Sequence, residues 1–220
     1  MAVGGPSEPV ATCRKLRRVF PTSRLGNPEQ PLDDLVYLVL SNRSSARLTS
    51  LVYFELKSRS ESWHWLATSD VVELEGMLRP LGLAKKKSAQ LTSLVRQIEA
   101  DFGRTSLADL ANWSTPDAER YLESLPGVST KVAKCVLLFT LSRAVVPVDV
   151  HVHRIAMRLG WTTKKRADQS HDDIERHIPL DLRRSFHVNA IQLGRSSCRS
   201  KPRCSTCPLQ DTCPSRREAA

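Results

Sequence analysis

One lysine and one aspartate are the residues of this sequence with the clearest potential for chemistry. Lys131 follows a Leu-Pro-Gly-Val-Ser-Thr turn and begins an apolar helix. The positive end of the helix dipole opposes a cation in the first turn and favours the neutral amine, the form that attacks an electrophile. Asp149 comes where the next helix begins, as an N-cap or as a catalytic carboxylate. Spacing alone also fits a solvated lysine and a simple cap.

The turn before Lys131 predicts a phosphate-binding helix start. Pro126 and Gly127 favour a tight turn, because proline fixes φ and glycine tolerates positive φ. Either Ser129 or Thr130 can cap the helix that follows. The backbone N–H groups at such a helix start, together with the helix dipole, attract a phosphate.

Four cysteines near the C-terminus predict a shared metal or cluster. Cys198, Cys204, Cys207 and Cys213 follow the pattern Cys-x5-Cys-x2-Cys-x5-Cys. Structural zinc sites usually pair two Cys-x2-Cys knuckles, whereas this segment has one knuckle between two wider gaps. Four thiolates also hold a [4Fe-4S] cluster, which the spacing favours, with zinc as the alternative. The N-terminal segment lacks the pattern of a secretory signal, so we expect a reducing compartment and no disulfides.

The charge of the chain predicts a polyanionic partner. The 220 residues carry 33 lysines and arginines against 23 aspartates and glutamates, a net charge of +10. Such a surplus favours nucleic acid, although a membrane surface would also attract it. No apolar run is long enough to predict a membrane-spanning helix. The run from Lys85 to Lys87 fits a loop on a nucleic acid backbone and a simple helix end equally well.

The elements that must position these residues are helices. Apolar residues recur at helical spacing in Ala46 to Lys57, Ser88 to Phe102 and His151 to Leu159. No two strand-like segments are joined by a turn, so we predict an all-α protein of about ten short helices. A short basic helix is expected from Cys13 to Phe20, after a disordered tail from Met1 to Val10.

Together, these features resemble the endonuclease III family of DNA glycosylases, the helix-hairpin-helix type with an iron–sulfur loop. The resemblance covers nearly the whole chain from about Leu32. Each matching stretch is weak alone, whereas the combination and the spacing from Lys131 to Asp149 are typical of the family. The matching stretches are Leu125 to Lys131, Val148-Asp149-Val150-His151, Gly194-Arg195, and Lys201-Pro202-Arg203-Cys204 with the four cysteines.

The resemblance implies two α-helical lobes. A six-helix barrel with the hairpin would span residues 31–143. The second lobe would combine an N-terminal tail and helix, residues 1–30, with residues 144–220, and would hold a [4Fe-4S] cluster in the loop 198–213. The active cleft would lie between the lobes.

The resemblance also implies a bifunctional glycosylase and abasic-site lyase that removes oxidised pyrimidines in base excision repair. The partner would be duplex DNA with damaged bases or abasic sites, bound by a monomer in the cytoplasm, on the bacterial nucleoid, or in an organelle. The damaged base would leave the stack, and Lys131 would attack C1′ of its sugar. Asp149 would stabilise the developing positive charge, and the Schiff base would permit β-elimination.

Three departures from the family pattern affect these expectations. Arg43 replaces the glutamine that commonly fills the gap left by the flipped base. Ser129 replaces a second hairpin glycine, at a cost of about 1 kcal/mol if that position needs positive φ. The first cysteine gap has five residues instead of six. The residues predicted to contact DNA, with Leu83 as a candidate wedge, are Arg43, Leu83, Lys85, Lys86, Lys87, Gly127, Ser129, Arg195, Arg199, Lys201 and Arg203.

Two other functions fit the same sequence. Arg43 is compatible with a mismatch-type glycosylase of altered specificity. Ser129 and Arg43 together fit a DNA-binding relative of low activity.

Overall fold

The protein is built from helices. The computed structural model describes residues 7–21 and 25–216, and this part of the chain forms eleven α-helices and no strand. The predicted all-α class is therefore confirmed. None of these helices is both long and apolar enough to cross a membrane. In chain order they are α1 (Pro9–Val19), α2 (Pro31–Ser41), α3 (Ala46–Lys57), α4 (His64–Thr68), α5 (Val71–Leu78), α6 (Ala84–Phe102), α7 (Thr115–Ser124), α8 (Thr130–Phe139), α9 (Val150–Leu159), α10 (His171–Glu175) and α11 (Arg183–Ser196).

The chain forms two compact units. One combines the N-terminal segment up to Gly26 with the chain from Ala144 onward, and the other is Asn27–Arg143. Within Asn27–Arg143, α2 packs against α3 and α8, and α6 packs against α4 and α5. The apolar faces of α2 and α6 supply much of its core, through the fully buried side chains of Leu35, Val36, Leu40, Leu91, Leu94, Val95 and Ile98.

The unit that contains both ends of the chain has its own core. Here α11 packs against α1 and α9. Three cysteines of the C-terminal loop, Cys198, Cys207 and Cys213, pack against this core. The start of α9 and the cysteine loop therefore share one apolar support, which includes Leu16, Val152, Ile155, Phe186 and Leu193.

Local sequence explains where several helices begin and end. Asp70 begins α5, because its carboxylate accepts hydrogen bonds at 2.9 Å from the backbone N–H groups of Val72 and Glu73. Helices α6 and α9 end at Gly103 and Gly160, with φ of 67° and 77°. Glycine adopts this left-handed conformation without strain and stops a helix there.

Two helix starts differ from the prediction. Helix α6 begins at Ala84 rather than at Ser88, so the lysine run lies in its first turn, which agrees with the helix-end alternative. Helix α1 begins at Pro9 with Glu8 as its N-cap, and the backbone N–H of Ser7 donates to the carbonyl of Leu159 at 3.0 Å. The expected disordered tail is therefore wrong for residues 7–10, because proline and the cap favour a helix start. The rest of that tail, residues 1–6, lies outside the described residues.

Candidate active site

The hairpin before Lys131 joins α7 to α8. The backbone N–H of Val128 donates to the carbonyl of Leu125 at 3.1 Å and closes the turn. Gly127 has φ of 75°, in the left-handed region that favours glycine. Ser129 is extended, with φ of −94°, and its side chain makes no capping hydrogen bond. Serine in place of a second glycine therefore causes no backbone strain. Phosphate binding at this helix start stays a prediction.

Gln90 of α6 supports the hairpin from the side. Its Nε2 donates to the carbonyl oxygen of Gly127 at 2.8 Å. A Cβ added at Gly127 would lie 1.4 Å from the same Nε2 atom. Glycine is thus favoured here by its positive φ and by the space it leaves. The ion pair of Lys134 and Glu119, at 3.4 Å with a buried ammonium, joins α8 to α7.

Lys131 is partly buried in the first turn of α8, which packs against α2. The fully buried carboxylate of Asp34 on α2 accepts a hydrogen bond from Asn27 at 2.8 Å. Its second oxygen, Oδ2, has no hydrogen-bond partner among the described residues. Burial raises the pKa of Asp34 to about 6, while the Asn27 hydrogen bond and the charge of Lys131 counteract part of the rise. A buried carboxylate thus lies within electrostatic reach of the predicted nucleophile.

Lys87 is enclosed by protein, although we predicted that it contacts DNA. Its side chain is 2% exposed. Its Nζ donates to the carbonyl of Leu40 at 2.9 Å, to Oγ of Ser44 at 2.9 Å and to the carbonyl of Leu81 at 3.2 Å. Burial lowers the pKa of Lys87. The prediction for Lys87 is wrong, because its ammonium is directed at acceptors inside the protein.

The other predicted DNA contacts are all exposed. Arg43 lies between α2 and α3, and Leu83 directly precedes α6. Both have left-handed backbone conformations, with φ of 55° and 54°. Exposure makes contact with DNA possible, and the contacts themselves stay predictions. The exposed residues are Arg43, Leu83, Lys85, Lys86, Gly127 and Ser129 in one unit and Arg195, Arg199, Lys201 and Arg203 in the other.

Asp149 is the N-cap of α9. Its Oδ1 accepts hydrogen bonds at 2.8 Å from the backbone N–H groups of His151 and Val152. The side chain is partly exposed, and Oδ2 accepts no hydrogen bond from any described residue. The capping and the catalytic interpretations are therefore compatible, since one oxygen holds the side chain and leaves the other for a ligand. Asp149 and Lys131 belong to different units of the chain.

A close approach of α9 and α11 explains why glycine precedes Arg195. A Cβ added at Gly194 would lie 2.4 Å from Nδ1 and 2.8 Å from Cβ of His151. Arg154 fastens the same contact, because its Nη2 donates to the carbonyl of Gly194 at 3.1 Å and lies 3.0 Å from Nδ1 of His151. Burial lowers the pKa of His151, so the neutral ring can accept that hydrogen bond. Gly194 thereby supports the helix that Asp149 begins.

The four cysteines of the C-terminal loop line one pocket, together with Arg158. The guanidinium Nη1 of Arg158 donates to Sγ of Cys198 at 3.0 Å. Burial raises the pKa of Cys207 and of Cys213, and the neighbouring cysteines raise both further. Thiolates this close repel one another, which a bound cationic group would relieve, and the identity of that group stays a prediction. Within the described part, no three His, Cys, Asp or Glu side chains form a site for a single metal ion.

Sequence reasoning missed Asp34 and Gln90. An aspartate inside the apolar segment Leu32 to Leu40 is a signal that could have been used, because aspartate is almost never fully buried unless it is paired. Gln90 lies on an amphipathic helix and has no such signal, since its contact with Gly127 depends on how α6 packs.

Comparison with known proteins identifies relatives of the chain. Residues 36–180 match the HhH-GPD superfamily of base excision DNA repair proteins. Endonuclease III of Thermotoga maritima is 25% identical over 201 residues, which cover 91% of this chain and 89% of that protein. Thymine-DNA glycosylase of Aeropyrum pernix is 29% identical over 195 residues, which cover 85% and 83%.

A solved structure shares the fold. The trapped covalent intermediate of an endonuclease III with DNA superposes with a TM-score of 0.79 and 25% identity, covering 94% of each chain. Relatives in plants are longer. The chain spans 55% of the length of an Arabidopsis thaliana relative, to which it is 29% identical over 164 residues.

Proposed function

Because the chain belongs to the HhH-GPD superfamily of base excision DNA repair proteins and is similar to endonuclease III, we propose that it is a bifunctional DNA glycosylase and abasic-site lyase. Its substrate is duplex DNA that contains oxidised pyrimidines or abasic sites, and one copy of the chain is sufficient. The observation that carries the proposal is Lys131 in the first turn of α8, directly after a glycine-dependent hairpin.

Lys131 is the proposed nucleophile. Once the damaged nucleotide has left the stack, the neutral amine attacks C1′ as the bond from C1′ to the base breaks, and the base leaves with the bonding electrons. Loss of a proton from nitrogen and opening of the sugar give a Schiff base. The Schiff base acidifies the hydrogens on C2′, and β-elimination then breaks the bond from C3′ to its oxygen. A relative with another residue in place of this lysine could release the base but not cut the strand by this route.

Asp149 is the proposed electrostatic stabiliser. A carboxylate beside the sugar favours the positive charge that develops when the base departs. Its Oδ1 is held by the backbone of α9, which fixes the side chain and leaves Oδ2 for the substrate. The close packing of Gly194 against His151 holds the first turn of α9, which Asp149 caps, in place.

The proposed cofactor is a [4Fe-4S] cluster held by Cys198, Cys204, Cys207 and Cys213, with zinc as the alternative. The shared pocket of four thiols and the hydrogen bond from Arg158 support it. When bound, such a group fixes the loop covalently and neutralises the thiolates. The loop carries exposed Arg199, Lys201 and Arg203, which we propose contact DNA phosphates.

A mismatch glycosylase is the second candidate function. The similarity to the thymine-DNA glycosylase of Aeropyrum pernix favours it, at 29% identity over 85% of this chain. Arg43 favours it as well, because a guanidinium recognises guanine edges better than an amide does. In this case the mismatched base opposite guanine, rather than an oxidised pyrimidine, would be removed.

Excision and incision assays on one set of duplexes test the proposal. The set contains thymine glycol, thymine opposite guanine, adenine opposite guanine, and a preformed abasic site. We expect release of thymine glycol and incision at the abasic site by the wild-type protein, and neither reaction by Lys131→Gln. The matched control is Lys165→Gln, which removes an exposed lysine outside the predicted DNA contacts and should retain both reactions. Incision by Lys131→Gln at the wild-type rate would overturn the lyase assignment, and preferred release of mismatched thymine would establish the second candidate.

A further inference from the structure

The buried ammonium of Lys87 connects the end of α2 and the loop after it to the segment that leads into α6. Its three N–H donors are all used, by the carbonyl of Leu40, by Oγ of Ser44 and by the carbonyl of Leu81. The Ser44 hydroxyl in turn donates to the carbonyl of Leu81 at 2.7 Å. The loop between α2 and α3 is thereby fastened to the segment that leads into α6.

Each of these two segments carries an exposed residue with a left-handed backbone. Arg43 has φ of 55° and Leu83 has φ of 54°, and the Leu83 side chain is 44% exposed. A residue with a Cβ pays about 1 kcal/mol in this conformation and keeps it only where the surroundings impose it. The acceptors of Lys87 lie three residues before and one residue after Arg43, and two residues before Leu83.

Burying an ammonium is costly, and an apolar side chain would usually fill the same space with less loss of solvation. An apolar side chain could not, however, hold three acceptors from two separate segments of the chain at a fixed separation. The three hydrogen bonds that link these segments therefore explain why a lysine, rather than an apolar residue, occupies this buried position.

We propose that Lys87 is a positioning residue, which holds Arg43 and Leu83 together as a preformed two-residue element that enters the duplex at a damaged site. The proposal rests on the proposed function for its ligand, a DNA duplex with a missing or unstacked base. A preformed element loses less entropy on insertion than two independent loops. Lys87 thus contributes to discrimination between damaged and intact DNA without contacting DNA itself.

Four variants separate this role from a phosphate contact and from a loss of fold. Lys87→Met removes the connecting charge, whereas Lys86→Met removes the same charge from the exposed neighbour in the same helical turn. Ser44→Ala removes the bridging hydroxyl, and Ser44→Thr keeps it. Circular dichroism below the unfolding transition shows which variants are folded.

The measurement is the affinity of each variant for two duplexes of one sequence, either intact or with a tetrahydrofuran abasic analogue, at several salt concentrations. The fluorescence of a 2-aminopurine beside the analogue reports unstacking. We expect Lys87→Met and Ser44→Ala to lose about tenfold of the preference for the abasic duplex, together with the unstacking signal, at an unchanged salt dependence. Lys86→Met should weaken binding to both duplexes equally and lower the salt slope by about 0.9. Ser44→Thr should behave as wild type.

Retention of the wild-type preference and unstacking signal by Lys87→Met and Ser44→Ala would overturn the proposal, as would a wild-type protein with no preference to lose. If Lys87→Met does not fold, the preference of Ser44→Ala for the abasic duplex, compared with that of Ser44→Thr, tests the proposal. The two proposals can fail separately. A protein that never cuts abasic DNA, yet loses its preference for it in these variants, would refute the lyase assignment and leave Lys87 in its positioning role.

Discussion

The carboxylate of Asp34 on α2 is completely buried and within electrostatic reach of Lys131 on α8. The two residues are far apart in sequence, and the packing of α2 against α8 brings their helices together. Burial opposes the ionised form of Asp34, and the charge of Lys131 favours it. The protonation state of Asp34 therefore depends on its surroundings and in turn acts on the lysine.

The first prediction concerns the pH dependence of stability. The pKa of Asp34 rises from 3.8 to about 6 in the folded protein, so the folded state binds this proton more tightly than the unfolded state does. The stabilisation is complete below pH 3.8 and is lost as the pH rises through about 6. The free energy of unfolding of the wild-type protein should therefore fall by up to about 3 kcal/mol over this range. Asp34→Asn should not show this fall, because asparagine cannot ionise. Urea unfolding of both proteins between about pH 4 and pH 8 measures the difference in their free energies of unfolding. A constant difference across that range would contradict the prediction.

The second prediction concerns the reactivity of Lys131. An ionised Asp34 favours the ammonium form of Lys131, so Asp34→Asn should make the neutral amine available at lower pH. We expect the midpoint of the single-turnover incision rate at a preformed abasic site to move to lower pH. The control is Asp33→Asn, at the adjacent position, where the carboxylate pairs with Lys57 at 2.9 Å. An unchanged midpoint in Asp34→Asn, or the same change in both variants, would show that Asp34 has no specific effect on the lysine.

The third prediction concerns the hairpin. Gly127 and Gly103 both have positive φ, but a Cβ meets Gln90 at Gly127 and nothing within 4 Å at Gly103. Gly103→Ala should therefore cost about 1 kcal/mol through backbone strain alone. Gly127→Ala should cost more, since it also displaces Gln90 from the Gly127 carbonyl, and should weaken duplex binding at the helix start. Thermal unfolding and duplex affinity provide the test, and equal effects of the two alanine variants would contradict it.

The fourth prediction concerns the cysteine loop. We expect the purified protein to contain about four irons and four acid-labile sulfides per chain. Cys207→Ser should lose most of both, whereas Cys135→Ser, which changes a buried cysteine on α8, should retain them. Elemental analysis and sulfide release give the result. Stoichiometric zinc in the wild-type protein would establish the alternative metal.

The positions of Lys131 and Asp149 at helix starts could be predicted because local residues determine them. A Pro-Gly turn and an apolar run mark the start of α8, although Ser129 makes no capping hydrogen bond there, and the side chain of Asp149 caps α9. The sequence does not reveal which residues of the hairpin need positive φ. In the structure Gly127 has positive φ and Ser129 does not.

The fate of the lysine run could not be predicted from its composition. Lys85, Lys86 and Lys87 are identical in sequence, and the phase of α6 decides which is buried. Lys87 precedes the fully buried Leu91 by four residues, so it shares the buried face. The spacing from Leu91 predicts a buried Lys87 only when the helix is known to extend back to Ala84. The contacts of Asp34 and Gln90 depend on the packing of distant helices, which no local pattern contains.

The central claim is that the amine of Lys131 forms the covalent intermediate. Reduction with borohydride during the reaction with an abasic duplex, followed by proteolysis and mass spectrometry, identifies the attached residue. We predict a single DNA adduct on the peptide that contains Lys131, with none in Lys131→Gln and an undiminished amount in Lys165→Gln. An adduct of wild-type yield in Lys131→Gln, or one attached to another lysine, would contradict the claim.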